Sequence, residues 1–213
     1  MKNNTPAGSG QQKYQKHGEN IFAKSTKVSS ELLTLTYGAF ISKLIRENQH
    51  RPIEEINEKL DKMGFNIGTR IIDEFFAKSP SNRGLCKSFR ETVEVIAKEG
   101  FKMFLGVSCE VNAIPHSMLN DQSNPELGQR EFSLILRENP LADFVVLPPQ
   151  YQQSGSPLWY SNLICGVIRG ALDMVNMKTN CYFVKDQLNG DAQTEIRLEL
   201  KEIVKDKYED DDD

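Results

Sequence analysis

Residues 64–76 read GFNIGTRIIDEFF. Gly64 and Gly68 stand four apart, on one face of a helix, while Ile67, Ile71, Ile72, Phe75 and Phe76 supply its apolar surface. Glycine inside a helix costs roughly 1 kcal/mol relative to alanine, so two at this spacing predict the close approach of another backbone. A second stretch repeats the signal. LWYSNLICGVIRGALDMV (158–175) carries Gly166 and Gly170, again four apart, in the richest apolar run of the chain. Asn162, Arg169 and Asp173 interrupt that run, which predicts a buried helix near 157–177, packed tightly on a neighbour, and not a membrane span. Arg169 and Asp173 predict an ion pair along it.

Working outward, Ser29 or Ser30 can cap a helix in which Leu33, Tyr37, Phe40, Ile41, Leu44 and Ile45 recur at helical spacing as far as His50. Pro52 suits the first turn of a second helix striped by Ile53, Ile56, Leu60 and Met63, and 64–76 follows as a third. After the turn KSPSNRG (78–84), a helix from about Cys86 to Phe104 turns Phe89, Val93, Ile96, Ala97, Gly100, Phe101 and Phe104 inward. The pattern then changes. GVSCEVN (106–112), EFSLILRE (131–138), NCYFVKD (180–186) and TEIRLEL (194–200) are short, partly alternating and rich in β-branched or aromatic residues. They read as four strands in two pairs, the last two flanking the turn QLNGDAQ (187–193) and the pairs separated by the 157–177 helix. Helices followed by strand pairs predict an α/β (α+β) domain with helices on one face of a four-stranded antiparallel sheet.

The chain has 213 residues, 38% of them hydrophobic, which is enough for one well-packed domain. Residues 1–27 are polar and predict a flexible N-terminal arm, 28–204 form the domain, and 205–213 form a solvated acidic tail ending in EDDDD. A long loop is expected from Ala113 to Arg130. The formal charge of -4, with both signs interspersed, excludes a domain built to neutralise nucleic acid. The N-terminus lacks the apolar run of a secretory signal, so a cytoplasmic protein is expected.

Catalytic motifs are missing: no phosphate-binding GxxxxGK, no GxGxxG after a strand, no GxSxG, no HExxH. His17, His50 and His116 fall on separate segments, and four cysteines lie at 86, 109, 165 and 181 without a CxxC pair, so no metal is expected. Asp73, Glu74, Asp143 and Asp173 lie near apolar residues but have no evident partner. Cys109, Cys165 and Cys181 sit in strand or helix patterns as inert core thiols. Cys86 differs in its place. At a helix start, with Arg83, Lys87 and Arg90 nearby, its thiolate would be favoured. The residues leave it either an ordinary cysteine or a reactive thiol.

The runs SSELLTLTYGAF (29–40), LDKMGFNIGTRIIDEFFAKS (60–79), FRETVEVIAKEGFKMFLG (89–106), EFSLILRENPLADFVVLP (131–148), LWYSNLICGVIRGALDMV (158–175) and GDAQTEIRLEL (190–200) resemble, in order, the subunit 3 family of the transport protein particle, TRAPP. The resemblance implies the same α/β fold and a core scaffold subunit of a vesicle-tethering complex in ER-to-Golgi transport. It implies no enzyme activity of its own, only a contribution to nucleotide exchange on a Rab-family GTPase through the assembled complex. Cys86 matches the position that relatives S-acylate with a palmitoyl or similar chain, which enters an internal apolar channel; Ala97 and Gly100 are small enough to line it. Other TRAPP subunits are the implied partners. So are a homodimer when alone, through Leu33, Tyr37, Phe40, Ile41, Ile56 and Leu60, and peripheral membrane association at the cis-Golgi and endoplasmic reticulum through the complex. The family's C-terminal tail approaches the GTPase nucleotide site; Glu209 and Asp210 to Asp213 have the charge for that place, but KDKYEDDDD does not match the family's ending closely. The alternative is a small-molecule-binding or thiol-dependent domain on the same fold.

Overall fold

A computed structural model describes residues 8–79, 86, 88–114, 130–152 and 155–204. Four strands form one antiparallel sheet in the order β1-β2-β4-β3: β1 (Glu110–Ala113), β2 (Glu131–Leu136), β3 (Met177–Lys185) and β4 (Thr194–Ile203). The pairing follows from alternation. Phe132, Leu134 and Leu136 of β2 lie beside Leu198, Ile196 and Thr194 of β4, so one face is apolar along both strands. The opposite face carries Glu131, Ser133, Glu195 and Arg197. There Arg197 donates to Glu131 Oε1 (2.7 Å), Glu195 Oε1 (3.0 Å) and Ser133 Oγ (2.9 Å). The helices cover the apolar face, and Phe89, Val93, Ala97, Phe101, Ile164 and Ile168 join its strands in a single core.

α6 (Asn162–Asp173) lies against the sheet, and α3 (Ile53–Lys78) lies against α6. Both glycine pairs named above are used in this one crossing. A Cβ on Gly64 would overlap the Leu163 carbonyl oxygen and stand 2.9 Å from the Val167 amide nitrogen; one on Gly68 would overlap the Val167 oxygen. The relation is reciprocal. A Cβ on Gly166 would meet the Asp61 oxygen, and one on Gly170 the Phe65 oxygen. Each helix thus seats its backbone in the groove opened by the other's glycines. Because Gly64 lies at this seam and does not break the helix, the two helices expected over 52–76 are one helix of 26 residues. Arg169 reaches across the same seam to pair with Asp61 and stacks over the Phe65 ring at 4.9 Å. The interhelical partner replaces the expected Asp173, which is exposed.

α2 (Ser30–Glu47) begins where its cap is expected: the Ser29 hydroxyl accepts from the Leu32 amide. Tyr37, Ile41, Ile56 and Leu60, expected at a dimer interface, are buried within the chain's own core, with Leu60 wholly inaccessible. They attach α2 and α3 to the body. Only Leu33 and Phe40 of that set keep exposed surface.

Residues 1–27 are not uniformly an arm. Gly8–Lys24 form α1, which packs on the segment from α4 (Phe89–Val95) through a π-helical turn (Ile96–Gly100) to α5 (Phe101–Leu105). Composition misled because this helix docks through polar side chains and one glycine, with Ile21 its one fully buried large apolar residue. The acidic tail 205–213 and residues 115–129 of the expected loop lie outside the described residues.

Candidate functional site

The helix expected from Cys86 starts three residues later. Ser88 is its N-cap, accepting from the Glu91 amide at 3.2 Å, and Ser88-Phe-Arg-Glu91 has the capping-box spacing that locates the start from sequence. Cys86 is therefore half-buried just outside the helix, whose Thr92 hydroxyl donates to the Ser88 carbonyl at 3.2 Å. Burial pushes this thiol above the ordinary cysteine range, the Glu91 and Glu99 charges push it further, and the nearby Thr92 hydroxyl only partly offsets them. Of the two readings left open from sequence, that opposes the reactive thiolate. Arg90 lies over the Phe132 ring, 6.0 Å from its centroid, and Arg83 and Lys87 lie outside the described residues. Near neutral pH Cys86 is a protonated thiol, suited to holding a group once attached and poorly suited to repeated nucleophilic attack.

The helix following Cys86 changes pitch in the turn Ile96–Gly100, where the Ile96 amide is shared between the Thr92 and Val93 carbonyls. Widening a helix in this way disrupts its regular ladder. The Ala97 carbonyl accepts from the Cys109 amide at 3.0 Å, and Lys98 Nζ donates to the Cys109 carbonyl at 2.6 Å. These bonds tie the turn to the chain leading into β1. Ala97 is inaccessible in the core, while a Cβ on Gly100 would meet nothing within 4 Å. Of the two small residues expected beside an acyl chain, one faces the core and the other borders open space.

The buried carboxylates were not those singled out from sequence: Asp73, Glu74 and Asp143 are exposed. Glu94 and Glu99 are buried instead, on the helix that follows Cys86. Glu99 has no accessible surface; Ser79 Oγ donates to its Oε2 at 2.6 Å and His17 Nδ1 lies 3.1 Å from its Oε1. Gln11 Nε2 donates to Glu94 Oε1 at 2.7 Å, and the Tyr14 hydroxyl to Glu91 Oε1 at 2.5 Å. The heptad-like placing of Gln11, Tyr14 and Gly18 is the sequence signal for this docking face. Among the remaining thiols, Cys109 and Cys165 are buried, and burial drives both above the ordinary range, with half-buried Cys181 raising Cys165 further. Among the described residues no group of histidine, cysteine or carboxylate side chains has the arrangement of a metal site.

Residues 33–199 match the family model described as transport protein particle (TRAPP) component. The chain is 48% identical over 194 residues to trafficking protein particle complex subunit 3 of Dictyostelium discoideum, covering 91% of this chain and 95% of that one. It is 45% identical to transport protein particle subunit bet3 of Schizosaccharomyces pombe, over 90% of this chain and 94% of the relative. The crystal structure of a trafficking protein particle complex subunit 3 from Naegleria fowleri, covalently bound to palmitic acid, superimposes with a TM-score of 0.71 at 43% identity, covering 83% of this chain and 97% of that one.

Proposed function

The chain belongs to the transport protein particle (TRAPP) component family, and from that premise we propose that it is a core subunit of a vesicle-tethering complex in ER-to-Golgi transport. It scaffolds other TRAPP subunits and contributes contacts through which the assembled complex exchanges nucleotide on a Rab-family GTPase. It does this as a binding surface and performs no chemistry itself, in keeping with a protonated Cys86 thiol. It works at the cytoplasmic face of the cis-Golgi and endoplasmic reticulum, held peripherally through the complex. No helix among the described residues is long and apolar enough to cross a membrane.

Cys86 carries a thioester-linked palmitoyl or similar chain, which runs into the apolar layer between the helices and the sheet, past Ala97 and Gly100. The observation that carries this is the half-buried thiol leading into a helix whose inner face is core, in a chain 43% identical to a relative solved with covalent palmitic acid. Intact-mass measurement of protein purified from its own cells tests it. An acyl increment that maps to Cys86 and disappears with neutral hydroxylamine is expected. An unmodified chain would instead favour a small-molecule-binding or thiol-dependent domain.

Outside the complex the chain pairs with itself through α2. Leu32 and Leu35 of α2, with Val28 just before its cap, are 59%, 66% and 73% exposed, more apolar surface than a lone helix leaves in water, and Leu33 and Phe40 flank them. Sedimentation at micromolar concentration should give a dimer. A monomer there, or a dimer that survives Leu35→Glu, would remove α2 from the interface.

A further inference from the structure

The helix that Cys86 leads into lies against a second element that the TRAPP family match, 33–199, does not include. α1, Gly8–Lys24, rests along the helix that follows Cys86, and its inward face meets that helix residue by residue. Gln11 takes Glu94, Tyr14 takes Glu91 and His17 takes Glu99. Between these bonds the backbones approach: a Cβ on Gly18 would overlap the Lys98 carbonyl oxygen and stand 3.3 Å from the Glu99 Cα. Beyond them Ile21 is buried, and the Phe22 ring packs on Gly106 while Lys102 Nζ lies over it, 5.1 Å from its centroid. The Cys86 thiol feels the charges of Glu91 and Glu99, the two carboxylates that Tyr14 and His17 cover.

The character of this contact matters as much as its place. A helix held through an apolar stripe would be part of the core and leave only with global unfolding. α1 is held by three polar pairs and one backbone groove, with Ile21 and Phe22 adding an apolar contact at its C-terminal end, and Glu94 Oε2 is buried there without a partner among the described residues. Such a contact is specific in register but places a single large apolar side chain, Ile21, fully out of water and apart from the main core, the combination found in segments that open locally while the rest of a domain stays folded.

We infer that α1 is a strap over the Cys86 site, closed in this structure, whose opening sets how fast reagents reach the sulfur or its thioester. This rests on the reading of Cys86 as an acylation site, and it adds regulation to it: an acyl group attached while the strap is open is shielded when it closes. Residues 25–29, between α1 and α2, supply the tether about which the helix would lift.

Gly18→Leu in the full chain tests this, since a branched side chain cannot enter against the Lys98 backbone. Wild type and variant are first weighed intact, then treated with hydroxylamine and labelled with a maleimide, with each cysteine's rate read from its own peptide. Cys86 in the variant should label about ten-fold faster or more, because a docked helix suppresses reaction by its opening equilibrium. Half-buried Cys181, on β3, should not change. Hydrogen exchange on the same samples should show 8–24 deprotected in the variant and the sheet intact. Equal Cys86 rates with 8–24 deprotected would overturn the strap. So would retained protection of 8–24, since the backbone contact would then not hold it, and so would equal acceleration at Cys181. Absence of an acyl increment in the first weighing removes the acylation reading alone, and leaves the labelling comparison to decide the strap.

Discussion

Gly64→Val should destabilise the domain by about 3 kcal/mol or more, lowering its midpoint of thermal unfolding by roughly 6–12 °C for a chain of this size. The added carbons have no space, because even a first Cβ would overlap the Leu163 oxygen and stand 2.9 Å from two further backbone atoms, the Leu163 carbonyl carbon and the Val167 nitrogen. Backbone cannot swing aside as a side-chain end can. To admit valine, α3 and α6 must separate, which also loosens the Gly68, Gly166 and Gly170 contacts and pulls Arg169 from Asp61. The sign is diagnostic. In a solvent-facing helix, removing glycine stabilises by up to about 1 kcal/mol, and Gly10→Ala, where a Cβ meets nothing within 4 Å, should do that. Calorimetry of the two variants beside the parent checks both, and a Gly64→Val protein melting with the parent would mean that the α3–α6 crossing is not as close as described.

That seam is also where the sequence was most informative. Two glycine pairs at helical spacing have few uses besides close packing, so both were readable as contacts, but their spacing does not say that each is the other's partner. The strands were readable for a similar reason: alternation in EFSLIL and TEIRLEL fixes which residues share a face, and burial of one face fixes the register. What escaped was polar. α1 has too little apolar periodicity to announce itself, and its docking depends on carboxylates some 80 residues away, Glu91, Glu94 and Glu99, that no local pattern connects to Gln11, Tyr14 and His17.

At Cys86 local reasoning produced the wrong sign. Counting Arg83, Lys87 and Arg90 by their distance along the chain favoured a thiolate, while leaving an ordinary cysteine open, but a pKa answers to what surrounds the atom. Burial and two carboxylates surround this one, and the capping box at Ser88 places the helix start, with its favourable dipole, past the sulfur. The position as an attachment site came from resemblance to a family, not from spacing or charge. The protonated thiol then makes sense as a group that need not turn over.

Cys86→Ser should produce the other large effect, and only if the thioester chain is buried. A palmitoyl chain has about 14 methylenes, and at roughly 0.8 kcal/mol each its full burial gives an upper bound near 11 kcal/mol. The measured loss should be smaller, about 3–5 kcal/mol, because a denatured chain already shelters part of the lipid and the emptied layer around Ala97 and Gly100 can partly collapse. For 213 residues that is a fall in the melting midpoint of roughly 10 °C. Acylated parent, hydroxylamine-treated parent and Cys86→Ser should then fall into two groups, the last two melting together. Serine replaces a half-buried, unacylated thiol at little cost, so the chain accounts for the difference. If all three melt alike while mass spectrometry shows the acyl group on the parent, the lipid lies outside the core. It would then be free to enter a membrane, because the same methylenes cannot occupy the protein interior and a bilayer together.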